Sequence, residues 1–297
     1  MKIGFFAIGL ANLARPELLA SAARTAERVG FDTLWTGEHI VFFDEIRSEY
    51  PYARSSTAPP VPGDTSILNP FVALAYAAAV TSRIRLATGV CLVPEYNPLL
   101  LAKLAASLDF LSGGRFLFGT GIGWLEEEFQ ALGIPWERRA ARARESVEAM
   151  RRLWEDETSH YAGEFVSFSR ARSYPKPPRG GKIPIIVGGQ SEAALKRAAD
   201  WGDGWCGFNL TPEESQAKIA RLDELLSARG RSRRGFEIFV APVTTAGPDA
   251  MGAYREAGVD ELYLTPIFDQ AFATVEETER VIEDMGRRWV EPAARLR

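Results

Sequence analysis

The stretch that decides the fold runs from Ile84 to Trp124 and reads IRLATGVCLVPEYNPLLLAKLAASLDFLSGGRFLFGTGIGW. The residues up to Thr88-Gly89 predict a strand. Asn97-Pro98 opens a helix that Gly113-Gly114 ends, because glycine adopts the left-handed cap conformation without a Cβ clash. A second apolar strand follows and runs into a Gly-rich loop. Four leucines recur every three or four residues and share one helix face: Leu100, Leu104, Leu108 and Leu111. Two parallel strands joined by a helix form half of a ligand site, since ligands of α/β folds bind at the carboxyl ends of strands.

The same alternation of strand and helix extends over the whole chain. Eight short apolar segments are predicted as strands: 2–8, 31–36, 84–90, 115–118, 183–187, 204–208, 236–243 and 260–265. Strict β–α alternation requires parallel strands with right-handed crossovers. Eight units in 297 residues favour a closed (β/α)8 TIM-type barrel, and an open doubly wound sheet is the alternative.

Two irregular inserts interrupt the alternation, at about 42–65 and at about 160–182. No linker separates two halves, so a single α/β domain over residues 1–297 is expected. Both inserts are rich in aromatic residues and proline and lack the periodicity of core elements. We therefore expect both to lie at the carboxyl-terminal face of the barrel and to shape a substrate pocket.

Bulk composition excludes several classes of protein. The net charge of −4 argues against a general nucleic-acid binder. No apolar run is long enough to span a bilayer, and we expect a cytoplasmic protein. Cys91 and Cys206 lie in apolar, strand-like surroundings, where buried reduced thiols are the expectation. We expect a small-molecule substrate, no nucleic-acid or membrane partner, and assembly as a homodimer.

Two glycine-rich segments are candidates for ligand binding. Gly188-Gly189-Gln190-Ser191 lies between a strand and a helix start, where free N–H groups and the positive helix end suit a phosphate. A plain tight turn is the alternative. The loop from Gly119 to Gly123 matches a dinucleotide fingerprint only loosely and lacks the acidic residue expected about 20 positions later. It is better interpreted as backbone that approaches a flat or phosphorylated ligand.

Candidate catalytic side chains are few. His39 follows a strand, beside Glu38, at the predicted mouth of the barrel, where it could act as a general base or donate a hydrogen bond to substrate. A loop histidine with a structural hydrogen bond is the alternative. The other histidine, His160, is expected at the surface. Neither a metal site nor a Ser–His–Asp arrangement is predicted.

The tryptophans are mostly expected in the core. Trp124 differs from Trp35, Trp136 and Trp205 because it directly follows the Gly-rich loop. It therefore either packs in the core or forms a wall of the pocket.

Taken together, the motifs resemble the bacterial-luciferase-like superfamily and, within it, the probable deazaflavin (coenzyme F420)-dependent oxidoreductases. The resemblance covers nearly the whole chain. It rests on four paired segments: Gly30–Trp35 with Glu38-His39, Leu86–Val90 with Tyr96–Pro98, Leu111–Arg115 with Gly119–Trp124, and Ile186–Ser191 with Gly202–Trp205.

The resemblance implies a luciferase-like β/α barrel with insertions that binds coenzyme F420, or alternatively FMN, across the strand ends. Implied cofactor contacts are Gly188, Gly189, Gln190 and Ser191 at the phosphate, Thr88, Gly89 and Val90 under the ring, and Gly121 and Gly123 around it. A cis peptide between Gly89 and Val90 is also implied, because the family often has one there and glycine adds no Cβ to resist it.

The resemblance also shows one departure. Deazaflavin-dependent sugar-phosphate dehydrogenases of this superfamily have an acidic residue directly after the Gly-rich loop, where this chain has Trp124. Trp124 therefore implies a bulkier, less polar substrate pocket. His39, with Glu38, remains as the candidate for catalysis.

The expected activity is hydride transfer to an organic small molecule from reduced coenzyme F420. An FMN-dependent monooxygenase is the close alternative, and a flavin-binding protein without turnover is an alternative from another class. A phosphate-handling lyase would instead carry its phosphate site near strands 7 and 8.

Overall fold

The computed structural model describes residues 1–52, 61–266 and 272–296. Its strands, in chain order, are β1 Lys2–Phe6, β2 Thr33–Thr36, β3 Arg85–Thr88, β4 Cys91–Leu92, β5 Phe116–Gly121, β6 Ser159–Ala162, β7 Ser167–Ala171, β8 Ile185–Gly188, β9 Gly204–Leu210, β10 Glu237–Pro242 and β11 Glu261–Leu264. All except β6 and β7 belong to one parallel sheet. The sheet closes because β1 pairs with both β2 and β11, and β3 pairs with β5. The predicted closed barrel is confirmed, and the open-sheet alternative is wrong.

The third barrel strand consists of two short parts, β3 and β4. Both pair with β5, with Ala87 opposite Leu117 and Cys91 opposite Thr120. The peptide between them, Gly89–Val90, is cis, which confirms the prediction.

The described residues contain ten α-helices: α1 Pro16–Val29, α2 Pro70–Val80, α3 Pro98–Leu111, α4 Glu126–Ala131, α5 Arg139–Glu155, α6 Glu192–Trp201, α7 Pro212–Ser227, α8 Met251–Glu256, α9 Val275–Met285 and α10 Glu291–Ala294. Asn69 and Asn97 cap α2 and α3 by accepting hydrogen bonds from first-turn N–H groups. Thr211 and Glu214 form a reciprocal capping box at the start of α7. In the part of the chain described here, no helix is long and apolar enough to cross a membrane.

A network of charged residues closes the amino-terminal end of the barrel. Arg85 Nη2 lies 2.6 Å from Glu261 Oε2, and Arg85 Nη1 lies 2.9 Å from Glu237 Oε2. Glu261 is fully buried and also accepts hydrogen bonds from Trp35 and Thr33, both at 2.9 Å. Burial raises the pKa of Glu261, and the positive charge of Arg85 opposes that shift. The network fills this end of the barrel, and the pocket described below lies at the opposite end, at the carboxyl ends of the strands.

An apolar layer fills the middle of the barrel above this network. It includes Phe6, Trp35, Leu117, Phe239 and Tyr263. Trp35 stacks on Tyr263 with the ring centroids 5.0 Å apart. Cys206 belongs to this layer, whereas Cys91 packs outward beneath the helices, and both are buried free thiols as predicted.

The predicted leucine face of α3 packs on the barrel only in part. Leu100 and Leu111 are 66% and 72% exposed, whereas Leu108 is buried. The neighbouring face, which contains Leu101, Ala105 and Leu108, packs on the barrel instead. Because α3 is apolar on both sides, periodicity alone does not show which side faces inward.

The first insert lies at the carboxyl-terminal face, as expected. Tyr50, Tyr52 and Val61 contribute to the pocket described below. Residues 53–60 of this insert lie outside the described part of the chain.

The second insert does not shape that pocket, which corrects the expectation from sequence. Its β6–β7 hairpin packs on the outer side of α5, where Glu145 accepts hydrogen bonds from the N–H groups of Glu164 and Phe165 at 3.0 and 2.8 Å. Further along, Arg179 donates to the carbonyl of Phe116, at the amino end of β5. A carboxylate of α5 and a backbone carbonyl at the start of β5 thus hold this insert away from the barrel mouth.

Candidate active site

A pocket opens at the carboxyl ends of the strands, above the apolar layer. Its space, including the open mouth, is about 1010 Å³. Residues that directly follow β2, β3 and β8 form its rim, and the first insert covers one side. This is the position at which β/α barrels hold their catalytic groups.

The structure brings seven of the predicted site residues together around this pocket: Glu38, His39, Gly89, Val90, Trp124, Gly188 and Gly189. The other five lie behind or beside them: Thr88, Gly121, Gly123, Gln190 and Ser191. Thr88 is fully buried and donates to the carbonyl of Gly119 at 2.7 Å. Its side chain therefore supports the adjacent strand instead of facing the pocket.

Close packing explains the glycines beneath the pocket. A Cβ on Gly89 would lie 2.9 Å from the ring of Phe6 and 3.0 Å from that of Trp35. A Cβ on Gly121 would lie 2.5 Å from Val90 Cγ2. Because glycine has no Cβ at these two positions, the backbone next to β3 and in β5 can approach the apolar layer. Val90 lies on the pocket side.

The Gly188–Ser191 segment joins β8 to α6 at the edge of the pocket. Gly189 has a positive φ of 110°, and its carbonyl accepts a hydrogen bond from Trp205 Nε1 at 2.7 Å. Ser191 caps α6 by accepting from the N–H of Ala194 at 3.2 Å. The Gln190 side chain donates to the carbonyl of Phe208. The side chains thus fix the loop, and α6 begins at Glu192, three residues after Gly189, which lines the pocket. The start of a helix is a position at which an anion is stabilised.

His39 is held by two side chains that follow the Gly-rich loop in the sequence, Trp124 and Glu128. Its Nδ1 lies 2.9 Å from Glu128 Oε2, and its Nε2 lies 3.2 Å from the indole Nε1 of Trp124. Because the indole N–H can only donate, Nε2 accepts and Nδ1 carries the hydrogen that is donated to Glu128. The imidazole is therefore neutral in this arrangement, with a lone pair on the nitrogen closest to Trp124.

Glu128 is a residue of the candidate site that sequence reasoning missed. It is fully buried, and besides His39 it accepts hydrogen bonds from the N–H groups of Ile40 and Val41. Its neighbour Glu127 accepts from the N–H and hydroxyl of Ser48 at 3.2 and 2.7 Å. Helix α4 therefore anchors the start of the first insert. In the sequence, the run of three glutamates at 126–128 could have indicated this position of Glu128. Acidic runs are also common in the first turn of ordinary helices, so the run alone did not predict it.

Glu38 is buried beside His39, and the protein engages both of its carboxylate oxygens. One accepts from the N–H of Leu92 at 2.7 Å, and the other accepts from the hydroxyl of Tyr96. Burial raises the pKa of Glu38, and these hydrogen bonds oppose the shift. The side chain thus ties the end of β2 to β4 and to the start of α3.

Aromatic rings form the wall opposite the strand ends. Tyr50 packs edge-on against Trp124 with centroids 5.2 Å apart, and Tyr52 packs edge-on against Phe208 at 6.0 Å. Burial raises the pKa of Tyr52 to about 12, so its phenol is neutral at physiological pH. Among the described residues that line the pocket, none is lysine or arginine. The wall therefore suits an uncharged, apolar or planar molecule.

Comparisons with known proteins agree on one family. The sequence profile described as luciferase-like monooxygenase matches residues 4–295. An uncharacterized protein of Mycobacterium tuberculosis is 39% identical over 254 residues, which cover 82% of this chain and 85% of that protein. The F420-dependent glucose-6-phosphate dehydrogenase of Kineococcus radiotolerans is 31% identical over 242 residues, which cover 78% of this chain and 64% of that enzyme. The solved coenzyme F420-dependent tetrahydromethanopterin reductase from Methanopyrus kandleri has the same fold, with a TM-score of 0.76 over 98% of each chain at 18% identity.

Proposed function

This chain belongs to the luciferase-like monooxygenase family, and from that premise we propose that it is an oxidoreductase using reduced coenzyme F420, with FMN as the alternative, on an uncharged organic small molecule. The observation that carries the proposal is the meeting of His39 with the glycine-rich strand ends at 89–90 and 188–189 around one pocket. A flat cofactor needs close backbone approach on one side, and a reacting group needs a proton carrier on the other.

The residues present fit such a cofactor. Gly188 and Gly189 leave the pocket edge free of side chains, and α6 begins directly beside them. The hydroxyl of Tyr52 lies 3.6 Å from where a Cβ on Gly189 would stand. A phosphate at this edge would meet backbone N–H groups and a neutral phenol. Val90 and the Gly89 backbone would support the ring.

When bound, the reduced cofactor supplies a hydride to the substrate. In this mechanism His39 carries the accompanying proton, since its Nε2 faces Trp124 at the pocket and its Nδ1 is fixed by Glu128. A substrate oxygen would replace the indole N–H as the partner of Nε2. Glu38 acts as a positioning residue, because both of its oxygens are used to hold Leu92 and Tyr96.

Trp124 restricts the class of substrate. Its indole is positioned by His39 and Tyr50, so an apolar surface stands where the resembling sugar-phosphate dehydrogenases have a carboxylate. Without lysine or arginine among the described lining residues, a phosphorylated substrate would lack a counter-charge on that side. We therefore propose a neutral, planar or apolar carbonyl compound, or the corresponding alcohol.

Turnover with defined compounds tests this proposal. Protein loaded with reduced F420 under anaerobic conditions is expected to reoxidise it with uncharged aromatic or alicyclic ketones, and not with 6-phosphogluconolactone, the oxidised partner of glucose 6-phosphate. A parallel assay with reduced FMN would follow oxygen consumption. Faster reaction with the sugar-phosphate lactone would contradict the substrate class. Oxygen-dependent product formation with FMN would favour the monooxygenase alternative, and no turnover with any compound would favour a binding protein.

Paired cofactors test the phosphate site. We expect FMN to bind at least about tenfold more tightly than riboflavin, which lacks the phosphate, because charge-assisted hydrogen bonds from several N–H groups are lost together. The same ratio is expected between F420 and its phosphate-free deazaflavin riboside. Fluorescence titration measures all four affinities. Equal affinities within each pair would remove the 188–191 loop from the phosphate site.

We also propose that a second copy of the chain covers the exposed apolar face of α2 and α3. Val72, Leu100 and Leu111 are each more than 60% exposed there. The two helices pack against each other, and exposed apolar residues grouped in this way often mark an interface. Sedimentation velocity is expected to show a dimer in the wild type and a monomer in a Leu100→Glu, Leu111→Glu double variant.

A further inference from the structure

Arg139 and Arg197 are positively charged side chains that neither the fold nor the proposed mechanism uses. Arg139 begins α5, Arg197 lies in the second turn of α6, and both are half-buried. In the described part of the chain, neither guanidinium forms an ion pair or a hydrogen bond, and the Nε of Arg139 is buried without a partner. Helix α5 has no acidic residue in its first turn, so the charge of Arg139 also opposes the helix dipole. Two half-buried charges without a counter-charge indicate a binding site for an anion.

The neighbouring basic side chains of both helices, in contrast, have partners. Most of these partners are carboxylates: Arg138 pairs with Glu164, Arg144 with Glu148, Arg151 with Asp203, Arg152 with Asp156 and Lys196 with Glu192. Arg142 donates instead to the backbone carbonyls of Pro135 and Glu137, both at 3.1 Å, and so fixes the turn before α5. Among the described basic residues of the two helices, the arginine pair, Arg139 and Arg197, is therefore the exception.

The arginine pair lies next to the proposed phosphate edge of the pocket. The Tyr52 hydroxyl, which stands 3.6 Å from where a Cβ on Gly189 would lie, is also a neighbour of Arg197. Burial lowers the pKa of Arg197, the phenol of Tyr52 opposes that shift, and the positive charge of Arg139 adds to it. Because such influences weaken with distance, Tyr52 and the two arginines lie close together.

Aromatic packing connects Arg139 to the wall of the pocket. Its guanidinium carbon lies 3.5 Å from the centroid of the Trp136 ring, and Trp136 packs edge-on against Phe129 at 5.1 Å. Phe129 in turn lies against the Gly-rich loop, 2.5 Å from where a Cβ on Gly123 would stand. A guanidinium that stacks on a ring keeps the N–H groups of its edge available to a carboxylate. Glu126 is the acid that influences Arg139, but the two do not come within ion-pair distance.

The chemistry of the two candidate cofactors assigns an anion to this pair. In the proposed function, backbone N–H groups at 188–191 hold the cofactor phosphate, so the arginines remain for negative charge beyond it. FMN ends at its phosphate, whereas coenzyme F420 continues from the phosphate into a lactyl and oligoglutamate tail that carries several carboxylates. Guanidinium groups bind carboxylates with two parallel hydrogen bonds. We propose that Arg139 and Arg197 bind the carboxylates of this tail and thereby select F420 over FMN, an inference that rests on the proposed function.

Cofactors that differ only in the tail test the proposal on the wild-type protein. Fluorescence titration without substrate would compare oxidised F420 that carries two or more glutamates with its glutamate-free, phospholactyl form. At low ionic strength we expect the glutamate-bearing form to bind at least about tenfold more tightly, because charge-assisted hydrogen bonds are added. The difference should shrink at high salt, since half-exposed charges are screened. Equal affinities of the two forms at low ionic strength would overturn the proposal.

Single substitutions assign the effect to the two arginines. Arg139→Gln and Arg197→Gln should each weaken binding of the glutamate-bearing form by about threefold or more and leave the glutamate-free form unchanged. Arg144→Gln is the matched control, because it removes an exposed arginine of α5 that pairs with Glu148. Circular dichroism would check that each variant is folded. Equal losses for both forms would place the arginines at the phosphate, and no loss for either form would remove them from the cofactor site, so both results contradict the proposal.

Failure of this inference can be told apart from failure of the proposed function. If neither F420 nor FMN binds, both are wrong. If F420 binds equally well with and without glutamates, the proposed function stands and the role of the arginine pair is wrong. Tail-dependent binding without turnover of any compound would support the arginine pair alone, because the titration needs no reaction.

Discussion

Replacing His39 with alanine is expected to lower turnover by about a hundredfold or more and to leave cofactor affinity nearly unchanged. The imidazole contacts Glu128 and Trp124 on the substrate side of the pocket, whereas the proposed phosphate loop lies at 188–191. A positioned general acid or base contributes typically 10²–10⁴-fold, and each factor of ten corresponds to about 1.4 kcal/mol of transition-state stabilisation. Steady-state kinetics and fluorescence titration measure the two quantities separately.

His160→Ala is the matched control, because His160 lies exposed on the outer hairpin, where its Nδ1 is hydrogen-bonded to the Ser169 hydroxyl and to the N–H of Arg170, both at 3.3 Å. That variant should behave like the wild type in both assays. If His39→Ala instead kept its turnover and lost cofactor affinity, His39 would be a binding residue. The proton carrier would then have to be sought elsewhere in the pocket.

Replacing Gly119 with alanine is expected to destabilise the fold by about 4 kcal/mol or more, a large part of the stability of an ordinary domain. The added Cβ would overlap the carbonyl oxygen of Thr88 and lie 2.9 Å from its carbonyl carbon. Both atoms belong to the backbone of β3, which pairs with β5 to close the barrel. Neither strand can move away without breaking that closure, so the cost exceeds that of ordinary overpacking.

Gly252→Ala provides the matched control for this substitution. Gly252 lies within α8, and a Cβ there would meet nothing within 4 Å. Alanine should stabilise that helix by about 0.5–1 kcal/mol relative to glycine. Denaturant unfolding of the two variants and the wild type would rank them. Equal stability of Gly119→Ala and the wild type would mean that the β3–β5 contact is not as close as described.

The sequence by itself determined the elements and their order. Pro16, Asn69, Asn97 and Thr211 each mark a helix start at the observed position, because caps depend on residues within one turn. The alternation of eight apolar strands with helices determined the parallel barrel, since crossovers of one hand allow few other arrangements. The carboxyl ends of β2, β3 and β8 were therefore predictable as one site.

The tertiary structure alone decided which residues meet across long separations. His39 and Glu128 are 89 positions apart in the chain, and they meet because barrel closure places the end of β2 beside α4. The leucine stripe of α3 and the second insert were ambiguous for the same reason, since local composition does not show which neighbour will cover a face. From the sequence, Trp124 could lie either in the core or in the wall of the pocket. The structure decides for the pocket, because it places the indole against His39. Local patterns specify how a segment folds, whereas the partners and the burial of each side chain depend on the closed barrel, which brings distant segments into one low-dielectric site.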